Sequence, residues 1–165
     1  MRRRVLEGWT STQARGADGA IESDERMSVT VALVPPTAEG ARMLGERYWA
    51  EVRRASFGLV RLHVSAEGSV LRILGVPVLR FGATELAAGP SGVRCRFPIS
   101  GGILARQRGG ALVLSQTSGA EPELRAALEG FVPRLSARPY DGIQRRIHVG
   151  ISRRFFLSLL GEGSA

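Results

Sequence analysis

The sequence predicts an α+β domain. A curved antiparallel sheet of six to seven strands wraps a long C-terminal helix, and one helical segment follows the first strand. Three observations predict it. Between residues 57 and 131, apolar side chains recur at every second position in six runs separated by turns rich in Gly, Pro and Ser, the pattern of half-buried strands. Residues 37–55 switch to helical spacing, and residues 143–159 carry an apolar side chain at every fourth position.

In chain order, the reading starts with a strand over residues 28–33 in "MSVTVALVPP", closed by Pro35 and Pro36. Thr37 then caps a helix through its hydroxyl, and Ala41, Leu44, Tyr48, Val52 and Ala55 form its apolar face, with Trp49 at the border. The strand runs follow. "FGLVRLHV" sets Val60, Leu62 and Val64 against Arg61 and His63, and "SVLRILG" sets Leu71 and Ile73 against Arg72. "PVLRFGATEL" sets Leu79, Phe81, Ala83 and Glu85 on the inner face, and "GVRCRFPI" sets Val93, Cys95, Phe97 and Ile99 there. "ALVLSQ" contributes Leu112, Leu114 and Gln116, and "ELRAALEGF" contributes Leu124, Ala126 and Leu128. Short turns between successive strands make this an antiparallel meander with one face buried. The cover is the helix of residues 143–160, whose Ile143, Ile147, Ile151, Phe155 and Leu159 form a stripe opposite Arg145, Arg146 and Arg153.

With 165 residues the chain is expected to be one domain. The expected division is a disordered tail over residues 1–26, the α+β domain over 27–161 and a flexible end over 162–165. The tail shows no periodicity. Met27 offers an alternative start, and Arg2, Arg3 and Arg4 an electrostatic arm. A single cysteine excludes an internal disulfide and, with no apolar leader behind the basic start, fits a reducing cytoplasm. No run of apolar residues is long enough to span a bilayer.

All 23 basic residues are Arg, giving a net charge of +8. The complete absence of Lys and Asn fits GC-rich codon usage, with Arg standing wherever another protein would carry Lys. The arginines are scattered and only 6% of residues are aromatic, which argues against a nucleic-acid partner, since such binders cluster charge beside stacking platforms.

The order of strand, helix, about six antiparallel strands and long C-terminal helix resembles the helix-grip arrangement of the START-like (SRPBCC, polyketide cyclase-like) superfamily. The resemblance spans residues 27–160 and rests on element order alone. It implies a hydrophobic ligand held between sheet and last helix.

Candidate site residues follow from the inner face. Tyr48, Glu85 and Gln116 are polar groups on an apolar wall, the arrangement that orients a pocket's guest. Phe81, Cys95, Phe97, Ile147, Ile151 and Phe155 supply the apolar lining. His63 and His148 do not converge with carboxylates, so no metal set or cofactor motif is expected. Cys95, on the apolar face, reads as a small hydrophobe. "GGILARQRGG" (residues 101–110) reads as a hairpin tip. The leading functional expectation is a module binding a hydrophobic or amphiphilic small molecule. The alternatives are a filled-core interaction domain using its arginine surface, and a cyclase- or aromatase-type enzyme with Glu85 or Tyr48 as acid or base.

Overall fold

The computed structural model describes residues 8–134 and 138–162, with side chains over 145–161 in the last helix. Nine strands and two helices follow in the order β1 (Trp9–Arg15), β2 (Ile21–Ser28), α1 (Ala38–Ala55), β3 (Val60–Ser65), β4 (Gly68–Ile73), β5 (Val76–Phe81), β6 (Glu85–Gly89), β7 (Gly92–Gly101), β8 (Ala111–Thr117), β9 (Glu123–Phe131) and α2 (Arg138–Glu162). The sheet is antiparallel, in the order β1-β2-β9-β8-β7-β5-β4-β3, with β6 beside β5 on the same edge of β7. The fold class is therefore α+β with an antiparallel sheet and a C-terminal helix. The sheet has nine strands rather than six or seven, and the helix follows the second strand. No described helix is long and apolar enough to cross a membrane.

The segment read as a disordered tail is a hairpin from residue 9 onward. Its turn is held by Gly16 N–H donating to Ala20 O (2.8 Å) and Ala20 N–H to Asp18 Oδ1 (3.0 Å). In β2 the inward positions are Ile21, Ser23, Glu25 and Met27, all buried. Two of these four are polar, which hides the period of two from a hydropathy reading. Trp9 of β1 stacks edge-on against Phe156 of α2 at 5.4 Å, tying the hairpin to the core. The proposed Arg2–Arg4 arm and residues 163–165 lie outside the described residues.

The expected strand over residues 28–33 does not form, because the chain leaves the sheet at Ser28. Gln116 holds the connection instead: its Oε1 accepts from Leu33 N–H (2.7 Å) and Val34 N–H (3.1 Å), and its Nε2 donates to Val34 O (2.9 Å). Helix α1 then starts as expected, with Gly40 N–H donating to Thr37 Oγ1 at 3.3 Å.

On the inner face, cross-strand rows run Phe97–Leu112–Leu128, Cys95–Leu114–Ala126–Glu25 and Val93–Gln116–Leu124–Met27. Helix α1 lies directly on β7 because Gly45 faces it: a Cβ there would stand 2.9 Å from Cys95 Sγ and 3.0 Å from Phe97 Cζ. Helix α2 approaches α1 and β2 most closely. Its buried face is His148, Ser152, Phe155, Phe156 and Leu159, turned by about one residue from the expected stripe. Phe155 and Leu159 of that stripe are buried, Ile151 is partly buried, Ile147 is 55% exposed, and the side chain of Ile143 lies outside the described residues.

On the outer face, much of the arginine is paired with carboxylates. Arg96 meets Glu85 (2.9 Å), Arg125 meets Asp24 (3.0 Å) and Glu129 (2.9 Å), and Arg26 meets Asp24 (2.9 Å) and Glu123 (3.1 Å). These partly exposed pairs set surface charge more than stability.

Candidate functional site

A cavity of about 390 Å³ lies between the inner sheet face and the two helices. Helix α1 contributes the adjacent Tyr48 and Trp49, and Val52 one turn further on. Helix α2 contributes Ile147, His148 and Ile151 with the same spacing. The floor is Phe81 of β5, Ile99 of β7, Leu112 of β8 and Leu128 of β9, with Val60, Leu71 and Ile73 towards the β3–β4 end. The volume falls within the range of roughly 300–1,000 Å³ common for ligand cavities.

Three residues of this apolar lining carry a polar group: Tyr48, Trp49 and His148. His148 is 9% exposed and its Nε2 has no hydrogen-bond partner among the described residues. Burial pushes its pKa down to about 4, so the ring is neutral at pH 7. Trp49 Nε1 is likewise buried and unpartnered. An unmade hydrogen bond at such a buried atom costs about 1–3 kcal/mol.

Aromatic contacts fix the wall. Trp49 stands edge-on to Tyr48 (5.4 Å), Phe81 (5.6 Å) and Phe97 (5.6 Å), and Tyr48 to Phe155 (5.6 Å). Trp49 also borders a second, larger cleft of about 630 Å³ on the other side of α1, which is rimmed by Arg42, Glu46, Arg53, Arg61 and His63 and reaches Cys95 and Phe97. Trp49 therefore partitions two spaces. Both open to the surface; the smaller is lined almost wholly by apolar side chains, whereas the larger has charged edges.

Of the residues singled out from sequence, Tyr48, Phe81, Ile147 and Ile151 line the 390 Å³ cavity. Cys95 and Phe97 face the other cleft; burial pushes the Cys95 thiol up to about 12, so it is not a thiolate nucleophile near neutral pH. Phe155 is core, fully buried behind Tyr48. Gln116 is buried and fully engaged with the 33–34 backbone. Glu85 is an outer-face residue: its side chain is 54% exposed and both carboxylate oxygens accept from Arg96 at 2.9 Å. The run "PVLRFGATEL" breaks after Phe81, and β6 restarts at Glu85 with a new pairing to Arg96, so the parity that pointed Glu85 inward is lost.

Sequence reasoning missed His148 and Trp49 as cavity groups, and it missed Glu25 altogether. Glu25 is buried on β2; Ser11 Oγ donates to its Oε1 at 2.8 Å, and Oε2 has no partner among the described residues. Burial raises its pKa, Asp24 adds to this, and Ser11 and Arg145 oppose it. Tyr48 feels it: burial first, and the charge of Glu25 second, push the phenol pKa up. Spacing in "IESDERM" would have flagged Glu25 had Ile21 and Met27 been taken as inward markers. Comparison with family models, with curated proteins and with solved structures finds no match to this chain.

Proposed function

We propose that the protein binds a hydrophobic or amphiphilic small molecule in the cavity between α1, α2 and the sheet. The observation that carries this reading is an apolar cavity of about 390 Å³ lined by both helices and the sheet, with Tyr48, Trp49 and His148 the residues of its lining that carry a polar group. An apolar cavity accepts an apolar body, and a few polar side chains in its lining favour a guest bearing one or two hydrogen-bonding groups on that body. The START-like reading is supported by the order β2, α1, meander, α2, with β1 an added strand ahead of it. An acid–base role for Glu85 finds no support, since it lies outside the cavity, and Tyr48 would act there as an uncharged hydrogen-bonding group.

The test is titration with a fluorescent anilinonaphthalene probe, followed through the probe and through Trp49. Saturable one-to-one uptake is expected. Ile151→Trp, which places an indole in the cavity, should weaken uptake at least about tenfold. If that variant binds like the wild type, the cavity is not the site. If it loses about 1–3 kcal/mol of stability without ligand, the space is already filled.

A further inference from the structure

At one end of the sheet, two turns hold bulky apolar residues in the left-handed region, where glycine is the usual occupant. Phe57, just past α1, has φ 53° and is 93% exposed; Leu74, at the β4–β5 turn, has φ 51° and is 71% exposed. Glycine follows each of them, at φ 78° and 82°. The two turns touch, with Leu74 N–H donating to Leu59 O at 2.9 Å. Leu59 and Val76 add further exposed apolar surface. Neither Phe57 nor Leu74 gains burial in return for its strained backbone, and strain of this kind gathers at functional surfaces.

Behind this tip stand two arginines. Arg61 of β3 and Arg72 of β4 are direct cross-strand partners on the outer face, a like-charged pairing that repels. Each is steadied by a turn carbonyl: Arg61 Nε donates to Gly58 O and Arg72 Nη1 to Gly75 O, both at 3.0 Å. Neither has a carboxylate partner among the described residues, in contrast to Arg26, Arg96 and Arg125. With His63 they line a concavity of about 410 Å³ between the turns. Residues 52–84 contain five arginines and one carboxylate, Glu67. Glu67 sits in the β3–β4 turn, at the opposite end of that hairpin from Leu74.

We infer that this end of the molecule, formed by the α1–β3 turn and the β4–β5 hairpin, is a docking surface for a bilayer bearing anionic phospholipids. An apolar tip with an arginine collar just behind it matches the layering of a membrane surface: Phe57, Leu59 and Leu74 reach below the headgroups while the Arg61 and Arg72 guanidiniums meet lipid phosphates. A nucleic acid would use the arginines and leave the strained apolar tip without a role. The lining of the cavity extends towards the same end, where Val60 and Ile73 form the last β3–β4 pair, but the docking surface stands whether or not the cavity takes a ligand.

The experiment is flotation of the full chain with vesicles of phosphatidylcholine alone and of phosphatidylcholine with about a quarter phosphatidylglycerol. Binding to the anionic vesicles only, weakening as salt is raised, is expected. Phe57→Gly and Leu74→Gly should each lower the partition coefficient at least about fivefold without lowering Tm, because glycine relieves the left-handed strain. Arg61→Gln with Arg72→Gln should erase the preference for anionic vesicles. The inference is overturned by no flotation with either vesicle, or by flotation that the glycine variants leave unchanged. It is also overturned by polyuridylate binding that depends on Arg61 and Arg72 but not Phe57, or by a dimer in solution that Phe57→Gly dissociates while no vesicle is bound.

Discussion

Protonating His148 inside the folded protein costs free energy because burial holds its pKa at about 4, against 6.5 for the free side chain. Between those values the unfolded chain binds more protons than the folded one, so stability rises with pH there. The contribution is fully present above pH 6.5 and is lost as pH falls towards 4. A gap of about 2.5 on the pH scale, at about 1.4 kcal/mol each, corresponds to about 3–4 kcal/mol in all, of which about 2 kcal/mol is gone by pH 5. Glu25 works the other way. Its raised pKa makes its contribution largest below about 4.5 and smaller as pH rises, so the wild-type profile mixes two slopes. His148→Phe separates them: the ring volume stays similar, the titration disappears, and the unpaired Nε2 is removed. Urea unfolding of both proteins at pH 5 and pH 7.5 should show the wild type losing about 2 kcal/mol more than the variant on acidification. Parallel profiles would mean that His148 is solvated, and the reading of it as a buried, unpaired cavity group would be wrong.

Glu25→Gln should gain stability relative to the wild type as pH rises from 4 to 8, because burial raises the carboxyl's pKa and disfavours its charged form; a Tm difference that does not change with pH would contradict that account. Gln116→Leu removes three hydrogen bonds from the buried 33–34 backbone and should cost about 3 kcal/mol in chemical denaturation, with ligand uptake retained. Gly45→Ala adds helix propensity worth about 1 kcal/mol but drives a methyl group against Cys95 Sγ and Phe97. A net loss of about 1–2 kcal/mol is expected, and Cys95→Ala should restore most of it in a double-mutant cycle.

What was legible in the sequence follows from how each element is buried. Helix α1 and strands β7, β8 and β9 combine clean periodicity with burial of most of their apolar faces, and their reading holds. The β1–β2 hairpin was hidden because Ser23 and Glu25 occupy inward positions, so its hydropathy resembles that of a solvated tail. The break between β5 and β6 was hidden because parity counting assumes an unbroken strand, and Gly82–Thr84 ends one. The placement of the site had a similar limit. Sequence spacing located a cavity wall on Tyr48, Phe81 and Ile151, but no local pattern tells that Gln116 spends its amide on a loop 82 residues earlier. Nor does it tell that the buried face of α2 is centred on His148 and Ser152 rather than on Ile147 and Ile151.

The most direct test of the central claim is native mass spectrometry of the protein isolated gently from its own source, wild type beside Ile151→Trp. The ligand-binding account predicts a small-molecule adduct of constant mass on the wild type, displaced by the anilinonaphthalene probe and missing from the variant. An adduct that persists on Ile151→Trp, or a wild type free of adduct that also fails to take up the probe, would contradict it.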